Sequence, residues 1–148
     1  MKIRFAMFAA QCVAIAFLNP VTVVAQDISR AFLCEDIRGV NIGAPKWQPF
    51  PDGYPNLSIL VSYKPGNTLS RVTSYRNGAI VQDGEGPGMQ MNSGFVVVVF
   101  GKEYVETYVV NVDTLELFHS AIRSGSAMLP NSAKSFHGVC KPAGNLAR

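Results

Sequence analysis

The chain has few of the residues that enzymes most often place at their active sites. Its 148 residues include two histidines, three cysteines and one tryptophan, and only 16% of them are charged. It contains no H-E-x-x-H, G-x-S-x-G or G-x-x-x-x-G-K-[ST] motif. These absences argue against zinc peptidases, serine hydrolases and phosphate-loop enzymes, and no residue set predicts a cofactor or a catalytic group.

The first 25 residues have the layout of a secretory signal peptide. Lys2 and Arg4 precede an apolar stretch over 5–18 that only Gln11 interrupts, and the small residue Ala25 stands at the expected cleavage position. A stretch of 14 residues is too short for a membrane-spanning helix, which needs about 20. We therefore expect cleavage near Ala25, a periplasmic or secreted location in a bacterium, and no membrane span in the mature chain.

Residues 26–148 are predicted to form a single β domain. Cleavage removes Lys2 and Arg4 and no acidic residue, so the formal charge falls from +3 to +1. The basic character of the whole chain therefore belongs mostly to its leader, and nothing electrostatic predicts nucleic acid as a partner. The remaining 123 residues are enough for one hydrophobic core.

The two cysteines that follow the leader stand near opposite ends of the mature chain. Cys12 is lost with the signal peptide, which leaves Cys34 and Cys140. In an oxidising compartment two cysteines have only one pairing, so we predict a Cys34–Cys140 disulfide. Two distant thiols without further ligands do not make a zinc site, and the C-x-x-C pair of redox enzymes is absent. No metal site is predicted.

Glycine and proline divide the chain into short apolar runs, which is typical of strands and turns. Asn77-Gly78 is the strongest hairpin signal, because a type I′ turn requires φ > 0 at both residues. The alternation over 104–112 predicts a strand with Glu106 and Tyr108 on one face. The eight candidate strands cover 28–37, 57–63, 69–75, 79–82, 95–100, 104–112, 115–121 and 135–141, with a short helix as the alternative over 115–123.

The run Phe95–Phe100 is apolar at every position. A strand without alternation is typical of burial on both faces. We therefore predict a central strand in which Val97 and Val98 are both buried.

These patterns predict an all-β fold, a small antiparallel barrel or sandwich of about eight strands. The disulfide would join the N- and C-terminal strands, and it requires Cα atoms about 4.4 to 6.8 Å apart. Closing a sheet into a barrel brings its first and last strands together. A sandwich with adjacent terminal strands also allows the bond, but we favour the barrel.

The segment 43–55 is the first candidate for a contact surface. It contains four prolines, at positions 45, 49, 51 and 55, which resist both helix and ladder formation. Trp47, Phe50 and Tyr54 lie in this stiffened segment, where they would lose little entropy on contacting a ligand or partner. The alternative is that the three rings fold back as a plug over one end of the core.

Two further features have an ordinary structural explanation beside a chemical one. Asp83 and Glu85 in the glycine-rich segment 83–88 could hold a hard cation, but the spacing differs from the calcium loop, and we expect a flexible hairpin tip. His119 and His137 would form a metal site or a general base only if the strand register brought them together. Otherwise each is a solvent-facing or core histidine.

These observations leave one leading hypothesis and two alternatives. The leading hypothesis is an exported, non-enzymatic β domain that binds a small molecule, a glycan or an envelope protein through a barrel mouth or the aromatic segment. The first alternative is a small secreted hydrolase or metal-dependent enzyme that uses the two histidines. The second is an inhibitor of a cell-wall hydrolase that inserts the proline-rich segment into a foreign active site.

Overall fold

The structure, a computed structural model, describes residues 30–66, 69–124 and 131–144, and its regular elements there are all β-strands. The predicted signal peptide lies outside these residues. None of the described segments forms a helix of the length and apolarity that crossing a membrane requires. The ten strands are β1 (Arg30–Gly43), β2 (Pro49–Gly53), β3 (Leu57–Tyr63), β4 (Ser70–Arg76), β5 (Ala79–Gly86), β6 (Gly88–Met91), β7 (Gly94–Phe100), β8 (Tyr104–Asn111), β9 (Glu116–Arg123) and β10 (Ser132–Pro142).

The strands form one antiparallel sheet that curls into a nearly closed barrel. Their order is β5-β4-β3-β1-β10-β9-β8-β7-β6, and β2 pairs separately with β1. The two edge strands, β5 and β6, are consecutive in the chain and are joined by Pro87, whose carbonyl accepts a 3.0 Å hydrogen bond from the Val98 amide of β7. Gly86 permits this approach, because a Cβ there would lie 1.8 Å from the Val98 carbonyl oxygen. The all-β prediction and the preference for a barrel are both confirmed.

The predicted disulfide is also confirmed. Cys34 on β1 and Cys140 on β10 are register partners and are bonded to each other across a sequence separation of 106. Both cysteines are buried. The first and last strands of the described chain are therefore neighbours in the middle of the sheet, and the disulfide links them there.

The sheet has ten strands instead of about eight because two proline- or glycine-rich segments also pair. Pro49 and Pro51 lie in β2, which pairs with one side of β1 only. Proline is tolerated on such an edge because its missing N–H is not needed there. The segment 83–88 is not a hairpin tip, since it continues β5 and begins β6. Asp83 is already engaged, because Arg71 and Thr73 both donate hydrogen bonds to its carboxylate.

The prediction that β7 is buried on both faces is wrong. Val97 has no exposed surface, whereas Val98 is half-buried and Phe100 is 64% exposed. The strand therefore alternates in burial although its sequence does not alternate. The physical reason is the barrel itself, because no second layer covers the outer face of β7 among the described residues.

The interior of the barrel is divided along its axis into an apolar half and a polar half. In the apolar half, aromatic and aliphatic side chains pack around the disulfide without exposure to solvent. Phe95 anchors this half, with its ring 5.8 Å from that of Phe32 and 5.0 Å from that of Tyr63. The strands continue past this core, and their inward side chains in the other half are mostly polar.

Candidate functional site

The polar half of the barrel encloses a cavity of about 270 Å³, which we call the cup. Strand register arranges its β8–β9–β10 wall in three rows of inward side chains. The opposite wall comes from β3, β4 and β5 and includes Leu57, Ile59, Arg76 and Gln82. From the opening inward, the rows are Tyr104, Arg123 and Ser132, then Glu106, Ala121 and Lys134, then Tyr108, His119 and Phe136.

The middle row carries a buried acidic side chain. Glu106 is 6% exposed, and its Oε2 atom accepts hydrogen bonds from the Tyr108 hydroxyl at 2.7 Å and from the Gln82 amide. Burial, followed by the proximity of Glu106, raises the pKa of Tyr108 above its usual range. The phenol therefore stays protonated and remains a donor. This pair fixes a carboxylate inside the cup, one row below the opening.

His119 stands in the deep row between two other rings. Its imidazole stacks on Tyr108 at 4.3 Å and on Phe136 at 5.6 Å between ring centroids. The Nε2 atom is buried and has no hydrogen-bond partner among the described residues. The pKa of His119 is lowered to about 4, mainly by burial, while Glu106 opposes this effect and Lys134 adds to it. His119 is thus a neutral imidazole with an unsatisfied nitrogen.

Two arginines lie at the opening, and a lysine lies one row further in. The Arg76 guanidinium lies 5.7 Å from the Tyr54 ring centroid, and that of Arg123 lies 5.9 Å from the Tyr104 centroid. Within the described ranges neither arginine has an acidic partner. Lys134, by contrast, donates a 2.7 Å hydrogen bond to the Tyr54 hydroxyl and lies 3.8 Å from Asp52.

Of the three aromatic residues predicted as a contact surface, the structure brings one to the cup. Tyr54 lines it and packs on Phe136, with ring centroids 5.0 Å apart. Trp47 and Phe50 are 53% and 50% exposed and do not line it. The Trp47 amide donates a hydrogen bond to the Gly43 carbonyl. Gly43 is the register partner of Ser132, which lies in the outer row of the cup. The predicted segment therefore lies at the open end of the barrel.

The two histidines do not share a site. Phe136 is the register partner of His119, so the next residue, His137, points to the opposite face of the sheet. His137 is exposed and lies 3.2 Å from the Glu116 carboxylate. That contact and a hydrogen bond from Thr114 lower the pKa of Glu116. Within 30–66, 69–124 and 131–144, no three histidine, cysteine or acidic side chains are grouped as metal ligands would be.

A wider groove of about 870 Å³ lies between residues 35–39 and 51–58. It is open to solvent and contains neither of the two buried polar atoms that lack a partner in the described part of the chain. The cup is the better candidate site, because it combines enclosure, charge and an unsatisfied polar atom.

The buried imidazole predicts a loss of stability in mild acid. The folded pKa of His119, about 4, lies below the unfolded value near 6.5, so the unfolded chain binds the proton more tightly. The free energy of unfolding should therefore be fully retained above pH 6.5 and fall by about 3 kcal/mol as the pH drops to 4. Urea unfolding at pH 7, 6, 5 and 4.5 measures this slope.

Two variants, His119→Phe and His137→Gln, test whether His119 causes this pH dependence of the free energy of unfolding. Phenylalanine keeps the stacked ring and removes the titrating nitrogen, so His119→Phe should flatten the slope between pH 6.5 and 4.5. His137→Gln removes the exposed histidine and should retain it. A slope that survives His119→Phe would show that another group causes the acid loss. Carboxylates whose pKa values are lowered in the folded protein affect stability at lower pH. The pKa of Asp83, for example, falls to about 2.

Comparison of the chain with known proteins does not identify it. No protein-family model matches the sequence. No curated protein and no solved structure matches it either. The function is therefore argued from the geometry and chemistry of the cup.

Proposed function

We propose that the protein is an exported, non-enzymatic binding protein that holds a small molecule in the cup. The observation that carries the proposal is the enclosed cavity itself, whose lining combines the buried Glu106 with two arginines that have no acidic partner among the described residues. β-barrels of this size commonly hold one small ligand in their open end.

Two further features support this function. The disulfide is compatible with an oxidising, exported environment. Trp47 and Phe50 are exposed on the segment that flanks the opening, where they extend the contact surface beyond Tyr54. A small molecule seated in the cup would therefore meet Tyr54 inside and the other two rings at the rim.

Nuclear magnetic resonance titration of the purified protein tests the proposal. The probes are three single-ring compounds of different charge: benzoate, benzamide and benzylamine. At least one should shift the ring signals of His119 and Tyr108 and saturate at millimolar concentration. Trp47→Ala should weaken that binding several-fold and leave the melting temperature unchanged, because the ring is half exposed.

A matched pair of variants locates the binding. Ala121→Phe places a ring inside the cup, whereas Ser120→Phe places the same ring on the outer face of the same strand. Ala121→Phe should abolish the shifts and Ser120→Phe should preserve them. Ala121→Met fills the cup less and serves if the phenylalanine variant does not fold. Shifts confined to Trp47 and Phe50, or the absence of any shift, would reject the cup as the binding site.

A further inference from the structure

The two arginines at the opening are available for an anion. Arg76 and Arg123 each lie over a tyrosine ring, and neither has an acidic partner in the described part of the chain. Such stacking fixes a guanidinium plane without using its N–H groups. The guanidinium fork matches a carboxylate or a phosphate in a bidentate pair. The outer rim of the cup is therefore selective for negative charge.

The middle row carries the acid Glu106 and the cation Lys134, and the Lys134 ammonium is already engaged by the Tyr54 hydroxyl and by Asp52. Glu106 lies one row further in than Arg123, because it pairs with Ala121 two residues along β9. A second negative charge at this depth would be repelled by a buried carboxylate, whereas a hydrogen-bond donor would be attracted. His119, two rows in, contributes a ring stacked between Tyr108 and Phe136 to the floor of the cup. The cup thus favours negative charge at its rim and a hydrogen-bond donor one row further in.

The size and apolar lining of the cup limit the rest of the ligand. Its volume of about 270 Å³ equals roughly nine water molecules in the liquid, at about 30 Å³ each. Leu57, Ile59 and Ala121 supply apolar surface to its lining. This space suits an apolar body about the size of one ring.

The charged groups of the cup also favour one anion charge over another. A phosphate monoester carries a charge of about −1.5 to −2 at pH 7, whereas a carboxylate carries about −1. Each arginine attracts the larger charge more strongly and the buried Glu106 repels it more strongly, so the net formal charge of the three groups, 2 − 1 = +1, decides the balance, and one carboxylate neutralises it. Carboxylate therefore fits the combination of two arginines and one nearby acid better than phosphate does.

We infer that the cup binds a small organic monocarboxylate with a ring-sized body and a hydrogen-bond donor at its far end. Arg76 and Arg123 hold the carboxylate at the rim, and Glu106 accepts the hydrogen bond from the donor. This inference rests on the proposed function, since it names the class of molecule that the cup takes.

Isothermal titration calorimetry with four ring-sized probes tests the inference. The probes are 4-hydroxybenzoate, 4-hydroxybenzamide, benzoate and 4-hydroxyphenyl phosphate. We expect 4-hydroxybenzoate to bind at least about tenfold more tightly than the amide, which lacks the charge, because hydrogen bonds to charged groups are the strong ones. It should also bind several-fold more tightly than benzoate, which lacks the donor, and than the phosphate.

Arginine variants assign the charge preference to the rim. Arg76→Gln and Arg123→Gln should each weaken binding of 4-hydroxybenzoate about tenfold and leave that of 4-hydroxybenzamide unchanged. Arg71→Gln is the control, because Arg71 lies on the same strand as Arg76 but is exposed and paired with Asp83 outside the cup. It removes one positive charge and should change neither affinity.

The outcomes separate this inference from the proposed function. If the amide binds as tightly as the acid, the anion assignment is wrong although the cup still binds a small molecule. If the phosphate binds more tightly than 4-hydroxybenzoate, the carboxylate class is wrong. If none of the four probes binds but benzamide or benzylamine shifts the signals of His119, the inference is wrong and the proposed function stands. If no probe of either set binds, both are wrong.

Discussion

Replacing both Cys34 and Cys140 by alanine should lower the free energy of unfolding by about 4 to 5 kcal/mol. The disulfide joins residues 106 positions apart in a chain of 148 residues. In the chain-entropy account, closing a loop on the order of 100 residues lowers the conformational entropy of the unfolded chain. This raises the free energy of unfolding by about 4.7 kcal/mol. Native proteins typically have a free energy of unfolding of only about 5 to 15 kcal/mol, so this loss would be a large share of the stability.

Urea unfolding at neutral pH measures the effect, and the reduced wild-type protein supplies the first control. Reduction breaks the cross-link and keeps both sulfur atoms in the core, so it separates the cross-link from the loss of packing. Lys141→Ala is the second control, because it removes the exposed ion pair with Glu35 beside the disulfide. It should cost less than about 1 kcal/mol. If the double variant and the reduced protein both lose under 1 kcal/mol, the paired strands hold the barrel together without the disulfide.

Local patterns in the sequence were enough to predict several elements. Leu57–Tyr63 is β3 with the predicted bounds. Asn77 and Gly78 adopt φ of 52° and 80° in the β4–β5 turn, as a type I′ hairpin requires. The disulfide followed from a count of cysteines and the expectation of export. Each of these signals depends on neighbouring residues or on composition, and none requires knowledge of strand register.

The cup could not be predicted, because its residues come from separate strands. Alternation over 104–112 predicted Glu106 and Tyr108 on one face, and the structure shows that this face is the inward one. Arg76 and Arg123 lie on β4 and β9, whose relation depends on how the sheet closes. The same argument applies to His119 and His137, whose separation onto opposite faces is a matter of register alone.

The barrel geometry also explains the error over β7 and leads to the second large effect. Val97→Asp should prevent folding, because Val97 is completely buried and an aspartate there would be an unpaired charge in the core. An uncompensated buried charge costs about 3 to 5 kcal/mol, which is comparable to the whole stability of a small domain. Val98 lies on the outer face and is half-buried, so Val98→Asp should give a folded protein with a lower melting temperature.

The contrast between these two neighbours is the test, with circular dichroism and soluble yield as the measurements. Both substitutions put the same charge on the same strand. An effect of charge or expression alone would therefore be equal in the two variants and would not produce a difference between them. Val97→Ala and Val98→Ala give a second comparison if neither aspartate variant is soluble, and the inward residue should cost about 2 kcal/mol more because it leaves a cavity. Equal losses at the two positions would mean that another surface covers the outer face of β7. In that case β7 would be buried on both faces, as its uninterrupted apolar sequence predicts.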